Sequence, residues 1–366
     1  MQCNQLETPV RFDTYSNTYN FEHSAGNKTM ATIKDVARLS GVSVATVSRV
    51  INDSPKASQA SRDAVFKAMA ELKYHPNANA RALAHQSAET LGLVVADVSD
   101  PFFGTMVKAV EQVAQATGNF LLIGNGYHDA KQEKKAIEQL IRHRCAGLVV
   151  HAKMLPDEDL SLLMSHIPGM VLINRTLPGY ESRCVALDDH HGSWLATRHL
   201  IQEGHQKIGF LCSNHDISDS HDRLQGYLDA LQEHGIAVDE RLISRGSPNE
   251  EGGEEAMTEL LGRGRRTMTA VVCYNDSMAA GALSVLSDNG IEVPQDMSLV
   301  GFDDVLIARY LRPRLTTVRY PVAAMATQAA ELAVALSQGA ELPETTNMFS
   351  PTLVRRHSVS NLSPRG

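Results

Sequence analysis

Residues 32–51, Thr-Ile-Lys-Asp-Val-Ala-Arg-Leu-Ser-Gly-Val-Ser-Val-Ala-Thr-Val-Ser-Arg-Val-Ile, set two short helix patterns on either side of a glycine, and that spacing leaves few possible folds. Thr32 stands where a helix is capped, Asp35 completes a capping box, and Ile33, Val36 and Ala37 share one face by i, i+3, i+4 spacing. Gly41 supplies the left-handed residue that ends a helix sharply. Ser43 then caps a second helix whose Val47, Val50 and Ile51 form the inward stripe. Val44, Ala45, Ser48 and Arg49 are left facing outward. Arginine can grip a guanine edge with two hydrogen bonds, valine and alanine can meet thymine methyls, and serine can take a phosphate. This is the pattern of a helix-turn-helix DNA reader; an ordinary helical hairpin is the alternative.

A third helix pattern over 58–74, with Val65, Ala68, Met69 and Leu72 as its apolar stripe, makes a three-helix unit of residues 30–75. Residues 30–85 carry eight basic against four acidic side chains, while the whole chain is at −8. A basic head on an acidic body concentrates phosphate attraction at one end. The modest charge of the head predicts that it works in pairs.

Four stretches carry a wider resemblance: Ala-Thr-Ile-Lys-Asp-Val-Ala (31–37), Val-Ser-Val-Ala-Thr-Val-Ser-Arg-Val-Ile-Asn (42–52), Tyr-His-Pro-Asn-Ala-Asn-Ala-Arg-Ala-Leu-Ala (74–84) and Leu-Val-Gly-Phe-Asp-Asp (299–304). In this order and spacing the chain resembles the LacI/GalR family of bacterial transcription repressors from Met30 to about Ser358. The resemblance implies that Thr32, Ser43, Val44, Ala45, Thr46, Ser48, Arg49 and Asn52 meet operator DNA. It also implies a hinge helix over 76–87, with Asn77, Ala80, Leu83 and Ala84 at the DNA and Leu83 wedged between base pairs of the minor groove. A helix of so few turns is unstable alone and should fold only on a partner. A plain linker with Leu83 in packing is the alternative.

From Leu91 onward, short β-rich runs alternate with helix-period segments. Runs at 91–98, 120–123, 147–151, 170–173 and 184–187 read as buried strands of one parallel sheet, and runs at 207–212, 242–245, 270–274 and 298–302 as a second. The expected fold is therefore an all-α helix-turn-helix headpiece and hinge, followed over 88–360 by an α/β periplasmic-binding-protein-like core of two doubly wound lobes. Ligands of such folds bind beyond the carboxyl ends of strands. Asp97, Asn174, Asn275, Asp276, Asp303 and Asp304 all stand at strand ends. By the resemblance, Asp303 accepts sugar hydroxyls, Arg223 donates a fork to the ring and Asn275 is a hydroxyl-bonding amide; Asp97 and Asn174 adjust stereochemistry, and Phe102 and Phe103 form an apolar wall. Asp276 and Asp304 are expected to be helix caps beside the real contacts.

Other patterns weigh less. Gly124-Asn125-Gly126 opens like a dinucleotide loop, but Asp129 stands where the third glycine must lie. Arg263, Arg265 and Arg266 read as a solvated knot at a helix end, favoured by the helix dipole over a second nucleic-acid site. His143, His151, His190, His191, His199, His205 and His215 lack metal-ligand spacing, and Cys3, Cys145, Cys184, Cys212 and Cys273 read as unpaired buried thiols. No nucleophile elbow or Walker loop is present, so no catalysis, cofactor or metal is expected. No apolar run has membrane-spanning length. Residues 1–29 are polar, lack a signal-peptide pattern and read as disordered or as the product of an upstream start, with the natural chain beginning at Met30; 361–366 form a short tail without leucine heptads.

Three function classes compete: a repressor, an extracytoplasmic sugar-binding protein and a sugar-metabolising enzyme. Head, hinge and sensor together favour the first. Within the family, the resemblance implies a cytoplasmic homodimer on palindromic operators, released by a hexose inducer, D-galactose. Another sugar, or a purine-type corepressor, remains the alternative.

Overall fold

The computed structural model describes residues 31–51, 54–74, 90–264, 268–341 and 347–362. The chain divides after Ala84 into two compact units. Asn52 and the expected hinge residues Asn77, Ala80, Leu83 and Ala84 lie outside the described residues.

In the first unit, α1 (Ile33–Ser40), α2 (Val44–Ile51) and α3 (Gln59–Glu71) close over a small core of Val36, Ala37, Val47, Val50, Val65 and Ala68. The Asp35 carboxylate accepts from both the backbone N–H (3.0 Å) and the hydroxyl (2.7 Å) of Thr32, which fixes the start of α1. Gly41 ends it at φ +68, a conformation that side chains rarely adopt. Ser43 Oγ accepts from the Thr46 N–H at 3.1 Å and starts α2. Helix α3 stops at Glu71, short of the expected Tyr74, although Leu72 and Tyr74 still pack on the core.

The second unit consists of two lobes. Strands β1 (Thr90–Val95), β2 (Phe120–Asn125), β3 (Gly147–Val150), β4 (Met170–Ile173), β5 (Cys184–Leu187) and β11 (Met348–Phe349) form a parallel sheet in the order β11-β5-β4-β3-β1-β2. Strands β6 (Ile208–Ser213), β7 (Ile243–Gly246), β8 (Ala270–Cys273), β9 (Ser298–Asp303), β10 (Thr316–Arg319) and β12 (Thr352–Val354) form the other, ordered β12-β10-β9-β8-β6-β7 with β12 antiparallel to β10. The inner strands are apolar almost throughout because both of their faces are covered. Along β1, Leu91, Leu93 and Val95 join one cluster and Val94 the other; along β4, Val171 and Ile173 separate in the same way from Met170 and Leu172.

Helices α4 (Pro101–Ala116), α5 (Ala130–Arg142) and α6 (Asp157–His166) belong to the first lobe, and α7 (Asp189–Gln202), α8 (Ser218–Glu233), α9 (Glu250–Gly264), α10 (Asp276–Asp288) and α11 (Leu306–Tyr310) to the second. Helix α12 (Val322–Ser337) follows second-lobe strands yet packs on α4, β3, β4 and β5 of the first lobe. The chain then supplies β11 to the first sheet and returns as β12 to the second. Strands β10, β11 and β12 had no counterpart in the sequence reading. They are two to four residues long, and β10, Thr-Thr-Val-Arg, buries its threonines by hydrogen bonding rather than by apolar pattern: the Thr317 hydroxyl donates to Asp276 at 2.6 Å.

Helices α7 and α8 touch backbone to backbone at Gly226, where a Cβ would lie 2.1 Å from the carbonyl oxygen of His190. This contact brings the start of α7 against Arg223, one turn earlier on α8. Gly226→Ala should therefore force the helices apart and lower unfolding stability by roughly 1–3 kcal/mol. Urea denaturation tests this, and a midpoint equal to wild type would show that the helices separate at no cost.

Candidate ligand cleft and nucleic-acid interface

On the first unit, α2 presents Val44 (42 % exposed), Ala45 and Arg49 to solvent, while Val47 and Val50 are buried beneath them. Ser48 and Thr46 are half-buried, and the hydroxyls of Ser43 and Thr46 bond one another at 2.9 Å. Thr32 is exposed at the start of α1. The face is a short apolar and hydroxyl-bearing strip with one guanidinium, which can do no more than read an edge or touch a phosphate.

In the second unit the carboxyl ends of the two sheets converge on a cleft. Of the seven cleft residues expected from the sequence, Phe102, Phe103, Asn174, Arg223, Asn275 and Asp303 line it, whereas Asp97 does not. The Asp97 carboxylate turns back onto Ser99, accepting from its N–H at 2.9 Å and its hydroxyl at 2.8 Å. Asp100 reaches the cleft instead, while its carboxylate caps α4 by accepting from the Phe102 N–H at 2.8 Å. Phe102 and Phe103 meet edge to face at 5.2 Å, and Phe102 meets Tyr320 in the same way at 5.1 Å, so one wall is aromatic. Asn275 both lines the cleft and caps α10: its Oδ1 accepts from the Met278 N–H and its Nδ2 donates to the Pro248 carbonyl. Asp276 and Asp304 do not line the cleft, and neither is a helix N-cap, those places being held by Asn275 and Val305. Asp276 accepts from Thr317 and from the Val305 N–H, and Asp304 pairs with Arg319 and Arg356.

Arg223 is the centre of the cleft. Its Nε donates to Asp189 at 2.8 Å, its Nη1 donates to the Tyr274 carbonyl at 2.7 Å, and its plane stacks over Phe302 with 3.7 Å to the ring centroid. Asp303 stands 3.6 Å away. Asp303 and Asn174 hold left-handed backbones at φ +106 and +58, strained conformations of the kind that fixed sites retain. Burial pushes the Asp303 carboxyl well above the usual range, although Arg223 opposes this. Burial also opposes the ionisation of Asp219, but Lys153 and Arg223 outweigh it and bring that carboxyl down to about 2.

Sequence reasoning did not assign the cleft residues His128, His151, Lys153, His215 and Asp219. The histidines come from the ends of three separate strands, so the search for ligands repeating along one element could not join them. His128 lies 4.7 Å from His215 and 6.4 Å from His151, ring to ring, and Phe103 packs edge-on to His151. The Nδ1 atom of each histidine is buried without a hydrogen-bond partner, as is Asn174 Oδ1. Burial pushes His128 down to about 4 and His151 down to about 3, and it also lowers His215. The cleft therefore offers neutral imidazoles and an amide beside paired charges, against an aromatic wall, a surface that suits a hydroxylated ring. Among the described residues no cluster of His, Cys, Asp and Glu has metal-holding geometry, and no helix is long and apolar enough to cross a membrane. Cys145, Cys184, Cys212 and Cys273 are unpaired; Cys145 is half-buried and the other three are buried. Arg263 bonds Glu259 and the Ile243 carbonyl, while Arg265 and Arg266 lie outside the described residues.

Comparison with known proteins agrees with both units. Residues 32–77 match the family described as bacterial regulatory proteins, lacI family, and residues 197–359 match the periplasmic binding protein-like domain. The chain is 74% identical over 334 residues to the HTH-type transcriptional regulator GalR of Escherichia coli (strain K12), covering 91% of this chain and 97% of that one. Among solved structures it resembles a lac repressor dimer bound to operator and the anti-inducer ONPF, with TM-score 0.79, 26% identity and coverage of 91% and 100%. It also resembles a complex of the transcriptional regulator CelR with cellobiose, with TM-score 0.66, 31% identity and coverage of 90% and 99%.

The buried histidines set a pH dependence with a definite sign. Their folded pKa values lie below the unfolded value of 6.5, so the unfolded chain binds more protons between the two; their stabilising contribution is full above 6.5 and is lost as pH falls toward 4 and 3. Well below 6.5, each should cost about 1.4 kcal/mol per pH unit. Asp276, pushed up to about 7 by burial, acts in the opposite sense, so the measure is a difference between proteins. His151→Gln should flatten the dependence of urea stability on pH between 6.5 and 4 by about one proton; a slope equal to wild type would show that His151 already carries its proton in the fold.

Proposed function

The chain belongs to the lacI family of bacterial regulatory proteins, and from that membership we propose that it is a homodimeric repressor of galactose-utilisation genes, released from palindromic operators when D-galactose occupies the cleft. It is a transcription regulator and not an enzyme. The observation that carries the reading is the pairing, in one chain, of an exposed base-reading strip on α2 with a strand-end cleft built around Arg223 and Asp303. The 74% identity to the regulator GalR supports galactose over other hexoses. The amide, imidazole and paired charged groups of the lining, set against an aromatic wall, support a hydroxylated ring over a purine corepressor, and the relative solved with cellobiose held a sugar.

In this reading residues 30–75 are the headpiece, 76–87 the hinge and 88–360 the sensor, acting in the cytoplasm. Two headpieces meet symmetric half-sites, and Leu83 enters the minor groove between them. Dimerisation has a suitable edge: β2 ends the first sheet and exposes Phe120 (70 %), Ile123 and Leu122. Sugar changes the angle between the lobes, the cost of ordering the hinges on DNA is no longer offset, and operator affinity falls by a coupling energy of roughly 1–3 kcal/mol.

Two substitutions separate reader from sensor. Arg49→Ala should cost roughly 1–3 kcal/mol of operator binding and relax the preference at one base pair per half-site. Selection of bound sequences by mobility shift checks this, and an unchanged preference would remove Arg49 from base reading. Asp303→Ala should weaken galactose binding by roughly tenfold to a hundredfold, the worth of a charge-assisted contact, and leave operator affinity intact. Arg223 is a poorer probe because its loss strands Asp189 without a counter-charge. Calorimetry with a hexose panel decides the effector: heat from another hexose but none from galactose would overturn the galactose assignment while leaving the repressor reading.

A further inference from the structure

Lys153 and Asp219 face each other across the cleft, one from the loop after β3 in the first lobe and one from α8 in the second, with Nζ and Oδ1 3.5 Å apart. Their side chains are only 2% and 7% exposed, and both line the cleft. The lysine is held firmly at both ends. The Glu133 carboxylate accepts from the backbone N–H groups of Lys153, Met154 and Leu155, and Lys153 Nζ donates to the Asn174 carbonyl. The Tyr274 hydroxyl donates to Asp219 Oδ2, but Oδ1 is buried with no hydrogen-bond partner.

The charges of the cleft are thus already matched. Arg223 is paired with Asp189, and Lys153 faces Asp219. Burial lowers the pKa of the lining histidines, Asp303 and Asp100 supply no positive charge, and no lining cation is left over to meet an anion. A carboxylate or phosphate entering here would meet the Asp219 carboxylate among buried side chains, where like charges repel strongly. A neutral hydroxyl meets no such obstacle and can donate to Asp219 Oδ1.

We propose that Asp219 is a specificity-determining residue of the cleft: by cancelling the charge of Lys153 it admits uncharged sugars and bars their acidic and phosphorylated counterparts. The inference rests on the sugar-sensing reading above and deepens it. Exclusion by an unmatched charge is a repulsive route to specificity, distinct from the attractive contacts of Asp303 and Arg223.

The test compares D-galactose, D-galacturonate and D-galactose 6-phosphate by calorimetry on the full chain. Wild type should bind galactose at least a hundredfold more tightly than either anion. Asp219→Asn keeps the size of the side chain and leaves Lys153 uncompensated, so it should narrow that ratio tenfold or more by gaining affinity for the anions. Lys153→Met added to Asp219→Asn should abolish the gain. The proposal is overturned if wild type binds galacturonate within tenfold of galactose, a result that needs no variant to fold, or if Asp219→Asn keeps the wild-type ratio. Failure of wild type to bind any neutral hexose while still binding operator would instead overturn the sugar-sensing reading.

Discussion

A guanidinium removed from water keeps its charge at a tolerable cost only where carboxylates and carbonyls replace the lost solvent, and Arg223 meets that condition. Asp189, the Tyr274 carbonyl and the face of Phe302 hold it, and these groups come from the start of α7, the end of β8 and the interior of β9. The pairing with Asp189 requires α7 and α8 to lie close enough to touch at Gly226. Asp303, strained at φ +106, then stands beside a cation already fixed in place. The cleft is thus pre-organised by packing, and a ligand need not order these side chains itself.

Much of this was legible from the chain because the physics is local. Apolar runs of strand length ended by Asp or Asn located the cleft, and six of the nine expected strand ranges started at the observed residue and fell within two residues of the observed end. The headpiece could be read for the same reason, since capping, left-handed glycine and 3.6-residue periodicity all act within a few residues. What could not be read depends on assembly. The edge and returning strands β10–β12 are too short to show a period, Asp97 and Asp100 exchange places through a two-residue turn, and His128, His151 and His215 meet only after three strands align. Asn275 shows the middle case. Its place in the cleft follows from the pattern, but its commitment to Met278 and Pro248 does not.

The two units hold themselves together differently. The helical unit closes over six buried small side chains, with no aromatic among them, and so leans on capping and on Gly41. The sensor has layered clusters on both faces of two sheets and can afford strained residues and buried charges in its cleft. The helical unit therefore depends more on its caps and its turn, and the α/β unit more on its layered core.

The returns of the chain between lobes bear on how the protein is made. The first lobe receives α12 and β11 only after nearly all of the second lobe has been synthesised, and the second lobe receives β12 only after β11. During translation, β1–β5 emerge with the face that α12 will cover still bare. Neither lobe can finish before most of the other has been made, although domains generally fold as units in N-terminal order during synthesis. Contacts this distant in sequence also slow folding. The exposed apolar face has to be endured until Ser337, the end of α12, has been made, so a premature stop ahead of α12 would leave two unfinished lobes.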